Sequence, residues 1–515
     1  MTLDFTNPAD YLLAMLPEVV LSIWAMLVLL VDVFRRGSRS EQSGSGIGRL
    51  VLAGVLLAAA ANGWLLTLDE SGTSGVIALD AFRVFTNFLI LLAVALFVVM
   101  ADRYLDEEHL RYGELYVLVL FAAVGMMVFA GSRELMVIFI GLELLSVPVY
   151  VLTGANRRDQ RSAEGALKYF LLGAFSSAFF LFGIALVYGG AGTTNLVAIA
   201  EVVGVDGLGS NGLLVAGIAL LAVGFAFKTA AVPFHMWTPD AYEGAPLPIT
   251  GFMAAAVKAA AFAAFLRVFL TAFGGLYETW DAMAIWLAIL TMVIANLVAL
   301  VEGNVKRMLA YSSIAHAGYL LVALAAASQL GSASVLFYLT VYTLMTMGAF
   351  AVVMAVAGKG EARLNLDAYR GLGWSAPLPA IVMTVFLLSL AGFPFTGGFI
   401  GKVFILRAAV EQGLVLLAVI LVLASLVSYF YYLRVAWYMW FSDPEPDTPD
   451  TQRIALTPAL RITLVAAAVL IVLLGVFPGG IGTDSFRIPG LIDAAEIGGR
   501  SLVQATSALG LSAGR

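Results

Sequence analysis

The chain of 515 residues has no cysteine, which excludes disulfides, thiolate metal sites and thiol redox chemistry on this polypeptide. It is also poor in charge. Asp, Glu, Lys and Arg together make up 12% of it, against about 25% in a soluble domain. Histidine is scarce, and His109, His235 and His316 are too scattered to suggest a haem or zinc cluster. What is abundant is apolar. Hydrophobic residues reach 61% and mean hydropathy is +0.97, the composition of a polytopic membrane protein. The net charge of −6 says little, because in a membrane the position of charge matters more than its sum.

Apolar runs long enough to span a bilayer, at about 20 residues each, number about fourteen. They lie near 11–34, 48–68, 79–101, 114–131, 133–153, 163–189, 212–234, 248–273, 280–301, 307–328, 333–357, 377–410, 414–441 and 459–478. The expected class is therefore all-α and multi-pass. The first run is too long, and too acidic around Glu18, for a cleaved signal peptide. Basic residues gather in alternate connections: Arg35, Arg36, Arg39 and Arg49, then Arg103 and Arg111, then Arg157, Arg158 and Arg161. Lys306 and Arg307, then Lys359, Arg363 and Arg370, then Arg453 and Arg461 continue the series. The intervening connections have no Lys or Arg apart from Arg133. By the positive-inside rule the basic loops are cytoplasmic and both termini lie outside. The connection at 238–247 belongs to the basic set yet has no basic residue, a departure that a functional constraint would explain. Residues 35–49 read as a Gly/Ser linker, 442–452 as a solvated acidic loop, and 479–515 as a tail with no clear structure.

Two stretches interrupt the apolar pattern. In 224–265, Lys228 sits deep in an apolar helix, and Pro233, which removes a donor and clashes with the preceding turn, should break it. A second apolar helix follows, carrying Lys258. In 387–407, Gly392, Pro394, Gly397 and Gly398 interrupt another span, and Lys402 follows. Burying a charged side chain at mid-membrane costs roughly 2.5–3.5 kcal/mol on insertion scales. Lysines flanking broken helices therefore point to proton movement. Broken membrane helices tend to pair across inverted repeats. The lysine precedes the break in the seventh span and follows it in the twelfth, as expected if spans 4–8 and 9–13 are related by inversion. The domains would then be 1–113, 114–273, 280–441 and 442–515.

Taken together, FKTAAVPFHMWTPDAYEGAPLPIT (227–250), NVKRMLAYSSIAHAGY (304–319) and LAGFPFTGGFIGK (390–402) resemble the antiporter-like subunits of respiratory complex I. The LDAYRGL run at 366–372, a lysine at 402 and the lack of a long C-terminal lateral helix are similar to the subunit N branch of bacterial NADH:quinone oxidoreductase. The resemblance covers roughly residues 10–478. It implies fourteen helices with two inverted five-helix repeats in the inner membrane, beside subunits M, K, J and A, with no nucleic-acid partner. It also implies that FMN, iron–sulfur clusters and quinone belong to other subunits, with no cofactor on this chain. Redox energy generated elsewhere would drive proton transfer here. A sodium- or potassium/proton antiporter subunit, which shares the same broken-helix stretches, is the first rival reading. A non-pumping structural subunit is the second.

The resemblance further implies that Glu143, alone among apolar residues of the fifth span, faces Lys228. An adjacent carboxylate favours a charged lysine, and separation lets the proton leave, which is the physical core of a pump. Lys258 would be the central relay among small alanines, and Lys402 the terminal group on the exit side. Lys168, near the end of the sixth span, either tunes the Glu143–Lys228 pair or reaches the interface. His316, beside Ser312 and Ser313, is a relay candidate because imidazole titrates near neutral pH. His235 and Asp240 read as holding the geometry of the break. Glu302 is placed to pair with Lys306 or Arg307. Arg267 and Arg434, near helix ends, read as anchors for the interface or partners, because guanidinium keeps its proton.

Overall fold

The computed structural model describes residues 2–5, 7–36, 45–70, 75–110, 113–206, 211–443, 454, 456–483 and 486–507. Among them, thirteen helices are long and apolar enough to cross a membrane. In chain order, spans 1 to 7 are Leu16–Arg36, Ser45–Trp64, Ala81–Glu107, Gly113–Gly131, Leu135–Thr153, Gln160–Ala191 and Gly212–Thr229. Span 8 runs from Leu247 to Thr271, and spans 9 to 11 are Tyr277–Val301, Val305–Ala325 and Gln329–Ala357. Spans 13 and 14 are Val415–Phe441 and Pro458–Val476. Span 12 is in two pieces, Pro377–Ala391 and Gly397–Glu411, each too short to cross alone. The predicted runs thus all appear as helices, and the protein is multi-pass. Span 2 begins at Ser45, inside what reads as linker; residues 37–44, and 444–453 of the acidic loop, lie outside the described residues.

The core is the alanine-rich span 8, which is completely buried, with spans 10, 4 and 11 next most enclosed. Small side chains let helices approach where lipid offers no hydrophobic drive to pack. Spans 4 and 5 show this at Gly125 and Gly141, where any Cβ would collide with the opposing backbone. The tail has structure that its sequence does not announce. Gly480–Thr483 pairs antiparallel with Phe486–Pro489, and a helix, Leu491–Ser507, follows. Ser501 Oγ on that helix accepts from the Phe82 amide at the start of span 3 (3.0 Å), and Gly499 lies against Ala333 of span 11.

Arg267 is not an interface anchor. It is 1% exposed and donates through both terminal nitrogens to Asp80, at 2.7 and 2.9 Å, and through Nε to the Ala130 carbonyl at 2.8 Å. Burial pushes the Asp80 carboxyl up, but Arg267, with help from Arg133, overrides this and holds it at about 2. Nearby, Arg83 pairs with Glu18 at 2.7 Å, both side chains being almost fully enclosed. These pairs fasten spans 1, 3 and 8 at the end opposite the basic loops. Arg434 is partly buried and donates to the carbonyls of Leu300 (2.9 Å) and Glu302.

Candidate proton-transfer site

Span 7 ends one residue after Lys228, and Ala230 turns the chain with φ 62°. Pro233 lies in the non-helical stretch that follows, as its missing donor requires. The stretch is held by Trp237 Nε1 donating to the Phe227 carbonyl (3.0 Å) and by the Val232 amide donating to Thr291 Oγ1 (2.9 Å). A short helix, Thr238–Gly244, leads to span 8.

Lys228 is buried, and its ammonium donates to Ser146 Oγ (2.8 Å) and the Tyr169 hydroxyl (3.3 Å). Ser146 stands on span 5 one turn beyond Glu143. No ion pair joins Glu143 to Lys228 among the described residues, and Glu143 Oε1 is buried without a hydrogen-bond partner. Lys228 thus hydrogen-bonds the Ser146 hydroxyl, while Glu143 lies near enough to act on its charge without a direct contact. Beyond Lys228, Tyr169 stacks on Trp237 (4.0 Å between centroids), which meets Tyr242 edge-on at 6.2 Å.

Lys258 follows directly on a π-helical turn, Met253–Val257. Such turns are rare and recur at functional sites. Its ammonium donates to the Ser313 carbonyl and to Ser313 Oγ (2.6 Å) on span 10, and lies 5.7 Å from the Tyr342 ring. One turn on, His316 is held between two hydroxyls, Tyr338 at 2.5 Å from Nδ1 and Tyr432 at 3.0 Å from Nε2. Tyr432 also bonds Ser312 Oγ. The imidazole packs against Tyr342 (5.1 Å) and Tyr319 (5.2 Å). Lys402 Nζ lies 4.7 Å from that same Tyr319 ring. His316 thus stands between the two lysines.

Lys402 closes the second break. The first piece of span 12 ends at Ala391 and is capped by Gly392, with φ 88°, and Lys402 Nζ donates to the Leu390 (3.1 Å) and Ala391 (2.7 Å) carbonyls. These are terminal carbonyls with no intrahelical partner, where a cation is favoured. Pro394 sits in the break, and the Gly398 amide donates to Ser389 Oγ at 3.2 Å.

Lys168 is at the surface, paired with Glu164 (2.6 Å) and Asp240 (2.7 Å), and has no contact with Lys228 or Glu143. Arg307 reaches Asp240 (3.1 Å), Glu243 (2.6 Å) and Glu302 (3.4 Å). The 238–247 turn, lacking basic residues of its own, is thus neutralised by its neighbours. Burial pushes the Asp240 carboxyl up, but hydrogen bonds from Lys168 and Arg307 leave it below the ordinary value. His235 is half-buried in the break, with Nδ1 unpartnered. The tyrosines around His316 and the Lys306–Glu361 pair (2.6 Å) are features that reading the string misses. The tyrosine-rich YFYYLR run at 429–434 was the available signal.

The family described as "NADH:quinone oxidoreductase/Mrp antiporter, TM" matches residues 132–428. NADH-quinone oxidoreductase subunit N from Trichlorobacter lovleyi is 46% identical over 90% of this chain and 94% of its own. This chain belongs to that family. A chain of respiratory complex I from Thermus thermophilus superposes with TM-score 0.75 at 37% identity, over 90% of this chain and 97% of that one. A chain of the Mrp complex from Dietzia sp. has TM-score 0.81 at 20% identity, over 98% and 100%, which shows that the fold is shared. Among the described residues of this family member, no group of three or more His, Asp or Glu side chains could hold a metal ion.

Proposed function

We propose that this chain is a membrane-arm subunit of NADH:quinone oxidoreductase that carries protons through Glu143, Lys228, Lys258 and Lys402, with His316 between the last two. The observation that supports this best is the buried cluster between Lys258 and Lys402: Lys258 on Ser313, His316 on the Tyr338 and Tyr432 hydroxyls with Tyr432 on Ser312, and Lys402 against the Tyr319 ring that also meets His316. There, buried ionisable groups meet through hydroxyls and ring faces inside an apolar protein. Hydroxyls accept and donate in turn, and lysine, unlike arginine, can give up its proton when desolvated. The hydroxyl contact between Lys228 and Ser146, with Glu143 one turn away, fits the separated state of a carboxylate–lysine switch. Lys168 serves the acidic turn and so acts on the relay from outside it.

In this reading, spans 4–8 and 9–13 form the inverted repeats, within domains 1–113, 114–273, 280–441 and 442–515. Flavin, iron–sulfur and quinone chemistry reside in partner subunits. The other membrane subunits of the arm, M, K, J and A by resemblance, surround this one in the bacterial inner membrane. Both termini face outward.

Proton pumping by the assembled complex in inverted vesicles tests the assignment. Lys228→Ala and Lys258→Ala should assemble on native gels yet lose most of both pumping and coupled NADH oxidation. Assembly with wild-type pumping in both would leave the subunit a scaffold.

A further inference from the structure

At the end of the molecule bearing the basic loops, one carboxylate gathers three elements. Glu361 lies in the connection after span 11, with a left-handed backbone (φ 49°) that a non-glycine residue rarely adopts. Its Oε1 accepts from the Tyr104 hydroxyl of span 3 (2.5 Å) and from the Leu247 amide, the first of span 8 (2.9 Å). Its Oε2 accepts from Lys306, in the first turn of span 10, at 2.6 Å. Lys306 is wholly enclosed, and its other two donors reach the carbonyls of Glu243 (2.8 Å) and Ala245 (2.6 Å), at the close of the acidic turn. Every proton of the ammonium is matched, so this is a satisfied buried pair and not a half-built site.

The position matters more than the strength. Leu247 opens span 8 eleven residues before Lys258, about 16 Å along the axis, and Lys306 precedes Ser313 by seven, about 10 Å. Spans 8 and 10 are therefore tied twice, once through Glu361 and once where Lys258 meets Ser313. The π-helical turn lies between the two ties on span 8. With one end fixed, the length and pitch of that segment set where Lys258 arrives.

From this geometry we infer that Glu361 and Lys306 are positioning residues for proton transfer: they set the height of span 8 against span 10, and so the contact of Lys258 with Ser313. The inference rests on the relay reading above. It assigns neither residue a proton, because neither touches the relay groups.

The test is a double-substitution cycle in the assembled complex, read as protons pumped per NADH oxidised in inverted vesicles. Glu361→Ala and Ser313→Ala should each lower pumping several-fold with assembly intact. Together they should lower it no further than the worse of the two, because both act on one contact. Glu361→Gln, which keeps an acceptor for Tyr104 and Leu247, should recover part of the loss; it also serves as the cycle partner if the alanine variant fails to assemble. Multiplicative effects of the two substitutions, or wild-type pumping in Glu361→Ala, would overturn the positioning role. Lys258→Ala run alongside separates the two claims. If it pumps normally, the relay reading fails; if it is inactive while Glu361→Ala is normal, only the positioning role fails.

Discussion

In the proposed relay Lys402 has two separable jobs, and substitution can pull them apart. Its ammonium caps the Leu390 and Ala391 carbonyls at the broken end of span 12. A cation at a partly buried helix C-terminus contributes up to about 2 kcal/mol, and stranding a buried acceptor costs about 1–3 kcal/mol. Relief of the ammonium's own desolvation offsets part of this. Lys402→Met should therefore destabilise the break by about 2 kcal/mol net. Lys402→Arg keeps a cation and N–H donors facing the same carbonyls, and so should retain most of that stability. Arginine does not give up its proton, however, so the arginine variant should be assembled, near wild type in heat resistance and poor at pumping. The methionine variant should be poor at both. Heating purified complex in detergent and following membrane-arm dissociation on native gels reads the first property, and acidification of inverted vesicles reads the second. Wild-type pumping by Lys402→Arg would refute proton release from this residue. Equal heat resistance of the two variants would refute the capping role.

Two further outcomes follow from the geometry. The Asp80 carboxyl is held at about 2, below its ordinary 3.8, so its pairing with Arg267 stabilises fully above that ordinary value and is lost as pH falls through about 2. A gap of nearly two pH units corresponds to about 2 kcal/mol; acid titration of dissociation in detergent should show that loss in wild type and not in Asp80→Asn. Gly398→Ala would push a methyl into the Ser389 carbonyl, and should lower the yield of assembled complex on native gels, while Gly212→Ala, in open space, should not.

The spans and both breaks were legible because they are local. A run of apolar residues, a proline without a donor and a glycine at positive φ act on their own segment. The lysines were legible for the same reason, since a charge inside such a run is conspicuous. Pairings across the fold were not. Arg267 looks like any arginine near a helix end, and only the fold brings Asp80 to it, 187 residues away in sequence. Lys306 reads as loop charge until Glu361, 55 residues on, is seen to enclose it. The Lys228–Glu143 relation was drawn from resemblance, and in the structure the lysine also takes Ser146 as a partner, a side chain with no marker in the string. The π-helical turn escapes reading altogether, because MAAAV has no signature that separates it from an ordinary helical turn.

The acidic turn at 238–247 has a consequence for how the protein is made. Its early counter-charges, Lys168 and Arg161, are already synthesised, whereas Arg307 lies 64 residues downstream of Glu243. At ribosomal rates of roughly 5–20 residues per second, the turn waits roughly 3–13 s for that partner. During biosynthesis the hairpin of spans 7 and 8 must therefore hold its orientation with Lys168 and Arg161 as its counter-charges, and insertion of span 10 brings Arg307 to the same turn.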